Sequence, residues 1–254
     1  MNAFSMQGRR VLVVGGTRGI GRAIALQLAR SGAAVLASFV RDSESAEKLV
    51  AEAASEGLNV QVFKADVTSD KGMSAVKECV AASNAPLDSL IFSAATGVHR
   101  PFEQLSGRHF DFTFALNVKA FLALVQVVSP HMKAGSTIVA LSSEGAANAI
   151  SQYHLVGASK GALESLARHL AAELAGRGIR VNVLAPGAVV TDVWKALPDA
   201  EQRLAKSAAR SPRGRLNTLE EIALAAQFLA SDASAGLIGH TLVVDGGTRI
   251  MGSD

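Results

Sequence analysis

Tyrosine is almost absent from this 254-residue chain: there is one, Tyr153. Cysteine is equally scarce, with Cys79 alone, so no internal disulfide can form and a reducing compartment is expected. Aromatic residues make up only 5%, whereas 49% of residues are apolar and 23 are Gly, a mix suited to aliphatic strands covered by Ala- and Leu-rich helices. An excess of one charge is lacking too. The net charge is +3 with basic residues scattered, so nucleic-acid binding gets no support beyond the sequence pI near 9.2. No uninterrupted apolar run approaches the roughly 18 residues that cross a bilayer, and residues 1–10 lack the basic, apolar and small-residue blocks of a signal peptide. The six histidines, His99, His109, His131, His154, His169 and His240, show no metal-ligand spacing. Together these absences speak against a metal centre, a disulfide scaffold, a membrane protein and a nucleic-acid module. A cytoplasmic protein is expected.

What is present is a regular alternation. Aliphatic runs at residues 10–14, 33–40, 60–65, 87–92, 136–141, 179–184 and 241–244 read as strands, and helical stretches such as 23–28 and 43–56 lie between them. That order implies right-handed crossovers and a doubly wound parallel α/β sheet with helices on both faces. No linker or repeat interrupts it, so the whole chain, 1–254, is expected to form one domain. Residues 186–215 break the rhythm with Gly, Pro and charge. Their place after the carboxyl end of a strand is that of a substrate lid.

Gly15-Gly16-Thr17-Arg18-Gly19-Ile20-Gly21 follows the first strand and opens the first helix. Glycines there allow a tight turn and close approach of backbone amides to a pyrophosphate at the helix N-terminus. After the second strand comes Val40-Arg41-Asp42. A carboxylate at that place would bind the ribose diol of NAD, a cation the 2′-phosphate of NADP. Arg41 and Arg18 converging on one phosphate point to NADPH; Asp42 keeps NADH as the lesser alternative.

Tyr153 precedes Lys160 by seven residues. At about 100° per residue, seven steps on a helix return to within roughly 20° of the start, some 10 Å along the axis. The pair could face one cleft, the phenol as hydrogen-bond acid and the ammonium as a fixed charge. On spacing alone, a packing aromatic and a solvated lysine are the better explanation of the pair; the rest of the chain turns the reading.

These motifs together resemble the short-chain dehydrogenase/reductase family over essentially the whole chain. The resemblance implies cofactor contacts from Gly15, Thr17, Arg18, Gly19, Ile20 and Gly21, from Arg41, from Asp66 and Val67 beside the adenine, and from Ser93 and Ala94. It places Pro186, Gly187 and Thr191 at the nicotinamide carboxamide, and likens Val244-Asp245-Gly246-Gly247 to the family's closing motif. Asn117 matches the helix asparagine that supports the proton relay, and Ser142-Ser143 lie at the end of the fifth strand. The active site departs from the usual pattern, because most members place tyrosine four residues before the lysine and that position here is Val156. The wider Tyr153–Lys160 spacing, together with Ser93-Ala94-Ala95-Thr96-Gly97, is similar to the type III enoyl-acyl-carrier-protein reductases.

That resemblance implies NADPH-dependent reduction of the 2,3 double bond of an enoyl thioester in fatty acid synthesis. Tyr153 would hydrogen-bond the forming enolate, Lys160 would bind the nicotinamide ribose and lower the phenol's pKa, and Ser143 would assist. Val189, Val190, Val193, Trp194, Leu197 and Leu204 would line an acyl channel or pack the lid. Arg203, Lys206, Arg210, Arg213 and Arg215 would meet an acyl carrier protein, a coenzyme A phosphate, or only solvent. A homotetramer is expected from the family and from apolar runs in 116–132 and 163–174. Two rivals stand beside this reading: a carbonyl reductase or alcohol dehydrogenase acting on 3-ketoacyl or other carbonyl substrates, and a non-catalytic dinucleotide-binding protein.

Overall fold

The aliphatic runs become seven strands: β1 (Arg10–Val14), β2 (Ala34–Phe39), β3 (Val60–Lys64), β4 (Leu87–Phe92), β5 (Met132–Leu141), β6 (Arg180–Pro186) and β7 (Thr241–Val244). The structure, a computed structural model, describes residues 2–191 and 200–251, apart from the side chain of Arg203. All seven strands join one parallel sheet in the order β3-β2-β1-β4-β5-β6-β7. Parallel strands need crossover connections, and covering both faces buries them, which is why they read as continuous aliphatic runs.

Side chains alternate across the sheet and divide the core in two. On one face Leu12 and Val14 join Leu90, Phe92, Phe121, Leu124, Leu163 and Val181. On the other Val11 and Val13 join Ile24, Leu28, Ile91, Val139, Ile222 and Leu229. The first layer is supplied by α3 (Asp70–Ala81), α5 (Phe121–Val128) and α6 (His154–Ala175), the second by α1 (Gly19–Arg30), α2 (Ser43–Ser55) and α8 (Leu219–Ala230). Phe92 and Phe121 are fully buried with ring centroids 5.3 Å apart, and each such side chain stabilises the fold by about 1.5–3 kcal/mol through burial.

Two differences from the sequence reading have local causes. β5 begins at Met132 rather than 136, because Met132 pairs with Leu87 across a register shift, and the intervening Lys133-Ala134-Gly135 breaks the apolar pattern there. The helical stretch Gly107–His131 is long and apolar enough to cross a membrane by length and composition, although no uninterrupted apolar run is. Its apolar character is that of a core helix: Phe121, Leu124, Val125 and Val128 are buried against the sheet. Within it, α4 (Gly107–Phe114) passes to α5 through a π-helical turn, Ala115–Ala120, that holds Asn117.

From β1 the chain runs outward through β2 and β3, and β4 to β7 fill the opposite side. Connections leaving in opposite directions open a crevice at the carboxyl ends of β1 and β4. Most candidate site residues lie on loops or helix starts at that end of the sheet; Pro186 closes β6, Asn117 lies in the π-helical turn and Lys160 within α6.

Candidate active site

The glycine loop is shaped for a bound anion. Arg18 occupies the N-cap of α1 in extended conformation without capping the helix, and no acidic residue lies in the first turn. By contrast Asp42, Ser69 and Thr218 cap α2, α3 and α8. The α1 N-terminus therefore keeps its N–H groups and positive dipole end for a ligand, which fits a pyrophosphate. Gly15 has φ +76, and a Cβ there would lie 2.9 Å from Ala94 N. A Cβ on Gly21 would overlap Gly15 O. The loop is thus folded against the end of β4, where Ser93 N donates to Val14 O at 3.0 Å. Thr17 is buried, Ile20 is half-buried, and the Thr191 methyl lies 3.7 Å from where a Gly19 Cβ would sit. On the far side Gly187, next to Pro186, donates to Val244 O at 2.9 Å.

Beyond the loop Arg18 and Arg41 are exposed, with Arg18 in electrostatic reach of Asp42 and Arg41 of Asp66. The Asp42 carboxylate is committed to α2, accepting from Ser45 N at 2.9 Å and Ser45 Oγ at 2.7 Å, bonds that hold its pKa below the usual carboxylate range. Asp66 accepts from Thr68 Oγ1 and Thr68 N, which lowers its pKa as well, and Val67 beside it is buried.

Tyr153 and Lys160 converge on the end of β5 by different routes. Lys160 is a buried residue of α6 whose Nζ donates to Leu141 O at 2.6 Å. Burial lowers its pKa to about 8, opposed by the charge of Glu164. Tyr153 is not on the helix but at its N-cap, so the equal-face argument applies to Lys160 alone. Gln152 before it takes a left-handed φ of 59, a conformation unusual outside glycine, and this turn delivers the phenol to Ser143 Oγ at 3.2 Å. Gly145 makes room for the ring, since a Cβ there would lie 2.5 Å from Tyr153 Cε1. His99 flanks the other side, with ring centroids 5.4 Å apart.

The expected lowering of the phenol pKa is overturned. Burial pushes Tyr153 up, the Ser143 hydrogen bond partly offsets this, and the nearby Glu144 carboxylate adds to the rise. The Lys160 ammonium is bonded to Leu141 O, and no hydrogen bond joins it to the phenol. At the position where the phenol would ordinarily stand, Val156 is buried against Gly97, whose missing Cβ leaves space for Val156 Cγ2.

Asn117 is fully buried and clamps three elements. Its Oδ1 accepts from Thr96 N at 2.9 Å, and its Nδ2 donates to Thr96 O and Ser159 Oγ, both at 2.8 Å. The π-turn sets this residue between the β4 loop and α6. Its side chain hydrogen-bonds neither Lys160 nor Tyr153, so its direct work is to fix the loop that carries Ser93 and Ala94.

Sequence reasoning missed two carboxylates. Glu164 accepts from Ser142 Oγ at 2.6 Å, and its position four residues after Lys160 on one helix was a readable signal. Glu144 follows Ser143 and is half-buried, and its carboxylate has no hydrogen-bond partner among the described residues; burial raises its pKa, with Arg210 opposing. Only the fold brings Arg210 to it. Of the lid, α7 (Ala200–Arg210) is helical, and Val189 is buried while Val190 is exposed. Leu204 is half-buried; Val193, Trp194, Leu197 and the Arg203 side chain lie outside the described residues. Arg213 and Arg215 both pair with Glu221, whereas Lys206 and Arg210 are exposed.

The chain matches the family described as Enoyl-(Acyl carrier protein) reductase over residues 14–249. It is 34% identical over 242 residues to 1-cyclohexenylcarbonyl-CoA reductase of Streptomyces collinus, covering 94% of this chain and 86% of that one. It is also 36% identical over 249 residues to D-threitol dehydrogenase of Mycolicibacterium smegmatis, covering 97% of this chain and 95% of the relative. The crystal structure of a gluconate 5-dehydrogenase from Burkholderia cenocepacia in complex with NADP and tartrate superposes with a TM-score of 0.90 at 30% identity, covering 99% of each chain.

Proposed function

The chain belongs to the short-chain dehydrogenase/reductase superfamily and is an NAD(P)-dependent oxidoreductase, and from that premise we propose that it reduces the 2,3 double bond of an enoyl thioester with NADPH. The placement of the phenol carries the proposal. Tyr153 sits at the mouth of α6 beside Ser143, and the position four residues before Lys160 is a buried valine. The matched family and the relative named for reducing 1-cyclohexenylcarbonyl-CoA, a thioester with a conjugated double bond, support the same reaction class.

Gly15, Thr17, Gly19, Ile20 and Gly21 would hold the pyrophosphate, Arg18 and Arg41 a 2′-phosphate, Asp66 and Val67 the adenine, and Ser93, Ala94, Lys160, Pro186, Gly187 and Thr191 the nicotinamide half. Asp42 is engaged in capping α2, which favours NADPH over NADH. When bound, the dinucleotide supplies a hydride to the β-carbon. Tyr153 O–H donates to the thioester oxygen as negative charge develops there, and its raised pKa keeps it a donor at neutral pH. In the structure the phenol proton is held by Ser143 Oγ; with substrate bound it turns to the thioester oxygen, and Ser143, still accepting from Gly145 N, offers its own O–H to the same oxygen. In this reading the phenol also helps to deliver the α-proton. Lys160, mostly protonated at neutral pH, supplies positive charge beneath the site.

A second reading, reduction of a carbonyl, is favoured by the Tyr153–Ser143 hydroxyl pair, which would polarise a ketone as well as a thioester. The discriminating experiment follows NADPH oxidation with crotonyl and acetoacetyl thioesters. Turnover of the first supports the proposal; turnover of the second alone transfers the assignment to carbonyl reduction.

Self-association as a tetramer belongs to the same proposal. Most of the apolar runs expected at the surface are in fact core, but Phe110, Phe112 and Leu122 remain exposed beside a groove lined by Phe114, Val118 and Leu166. A cytoplasmic location is supported by the single, half-buried cysteine.

A further inference from the structure

The end of β5 takes hold of three groups in succession, and two of them already have a place in the site. Ser143 Oγ accepts from the Tyr153 phenol at 3.2 Å, and the Leu141 carbonyl accepts from Lys160 Nζ at 2.6 Å. Between them stands Ser142. Its hydroxyl donates to Glu164 Oε1 at 2.6 Å, while its main-chain N–H donates to Leu184 O at 2.8 Å. Glu164 follows Lys160 by four residues, on the same side of α6 and one turn further from the phenol.

Ser142 and Lys160 are buried and Glu164 is half-buried, so a short bond fixes the carboxylate one helical turn from a buried ammonium. An ammonium taken out of water is unfavourable unless an opposite charge lies near it. The Leu141 carbonyl supplies an acceptor but no charge. Charges on the other elements around the site act elsewhere. Glu144, on the turn after β5, acts on Tyr153, and His99 packs on the Tyr153 ring. Arg210 of α7 and Asp245 and Arg249 after β7 act on Glu144. Among the described residues, Glu164 is the charge whose field acts on Lys160, and it opposes the effect of burial.

We propose that Glu164 is a positioning residue of the active site: clamped by Ser142, its carboxylate is the fixed counter-charge that keeps the Lys160 ammonium charged and seated on the Leu141 carbonyl. One of the three N–H groups is thereby spent on Leu141, and two are left for a ligand. Burial alone would strip Lys160 of its proton nearer to neutrality; Glu164 limits that fall and leaves the group titrating at about 8. The inference rests on Lys160 taking part in turnover, and not on whether the reduced bond is an alkene or a carbonyl. A mere staple between α6 and β5 would need the Ser142 hydrogen bond but no charge.

The test is the pH dependence of kcat/KM for NADPH oxidation, with whichever of the crotonyl and acetoacetyl thioesters the wild type reduces. Burial holds the Tyr153 phenol above its ordinary value, so a basic limb near 8 belongs to Lys160. Glu164→Gln keeps an acceptor for Ser142 and deletes the charge. The limb should move down by about one pH unit, and the ratio of kcat/KM at pH 8 to that at pH 6 should fall about fivefold. Glu164→Asp should restore part of that ratio. Ser142→Ala, which unclamps the carboxylate, should lower the ratio by less than Glu164→Gln does. An equal loss at both pH values, or an unmoved limb, reduces Glu164 to a staple and overturns the proposal. If the wild type turns over neither thioester, the proposed function fails by itself, and Lys160 is then read directly. Titration of its carbon-13-labelled ε-methylene resonance, assigned with Lys160→Met, should show the same downward move in Glu164→Gln; identical titrations in the two proteins overturn the proposal.

Discussion

Lys160 is a buried ammonium with one main-chain acceptor, and its titration is accessible to experiment. Its pKa falls from 10.5 to about 8 on folding. Below about 8 both folded and unfolded chains hold the proton, so the unfavourable burial of the charge is fully present. Between about 8 and 10.5 the folded chain has released the proton while the unfolded chain retains it, so stability rises with pH across that window. Urea unfolding at both ends of the window should show this rise in the wild type and lose it in Lys160→Met. If the ammonium is needed for turnover, kcat/KM falls over the same range, and a flat profile would remove the charge from the mechanism. Arg41→Ala should raise the KM for NADPH by about tenfold or more while leaving that for NADH little changed. Tyr153, Lys160 and the glycine loop were legible in the sequence because each belongs to a local spacing. Glu144 and Arg210 were not, since residues 66 positions apart acquire a common meaning only when the lid packs over the strand ends.

The start of α6 shows what an element can conceal. Residues 153–160 read as one helix, yet the helix begins at His154 and the phenol is aimed by a left-handed Gln152 and by the absence of a side chain at Gly145. Nothing in the local sequence marks that N-terminus, because Tyr153 is not a residue type that caps helices. Gly145→Ala should displace the ring and lower turnover while leaving NADPH binding intact; equal loss of both would mean the turn serves the cofactor site instead. The π-turn in Ala115–Ala120 was equally unreadable, although Asn117 inside it was found by motif. Asn117→Ala removes a clamp of three hydrogen bonds from a buried site and should destabilise the protein by about 2–3 kcal/mol, measured by chemical denaturation.

At the scale of the molecule, the alternation of aliphatic runs with helices was enough to foresee a doubly wound parallel sheet, because burying both faces of each strand leaves few other arrangements. What the pattern did not reveal was which apolar residues face inward: much of residues 116–132 and 163–174 packs on the sheet, and on the helical stretch 107–131 the exposed large apolar side chains are Phe110, Phe112 and Leu122. Charges placed at Phe112 and Leu122 together should yield a smaller species in sedimentation; an unchanged assembly would place the contact elsewhere. The most direct test of the phenol's role is NADPH oxidation by Tyr153→Phe with a crotonyl thioester, since the substitution leaves no tyrosine in the chain to substitute for it. Turnover should fall by about 10²–10³-fold with NADPH affinity retained. Turnover equal to that of the wild type would contradict a chemical role for Tyr153.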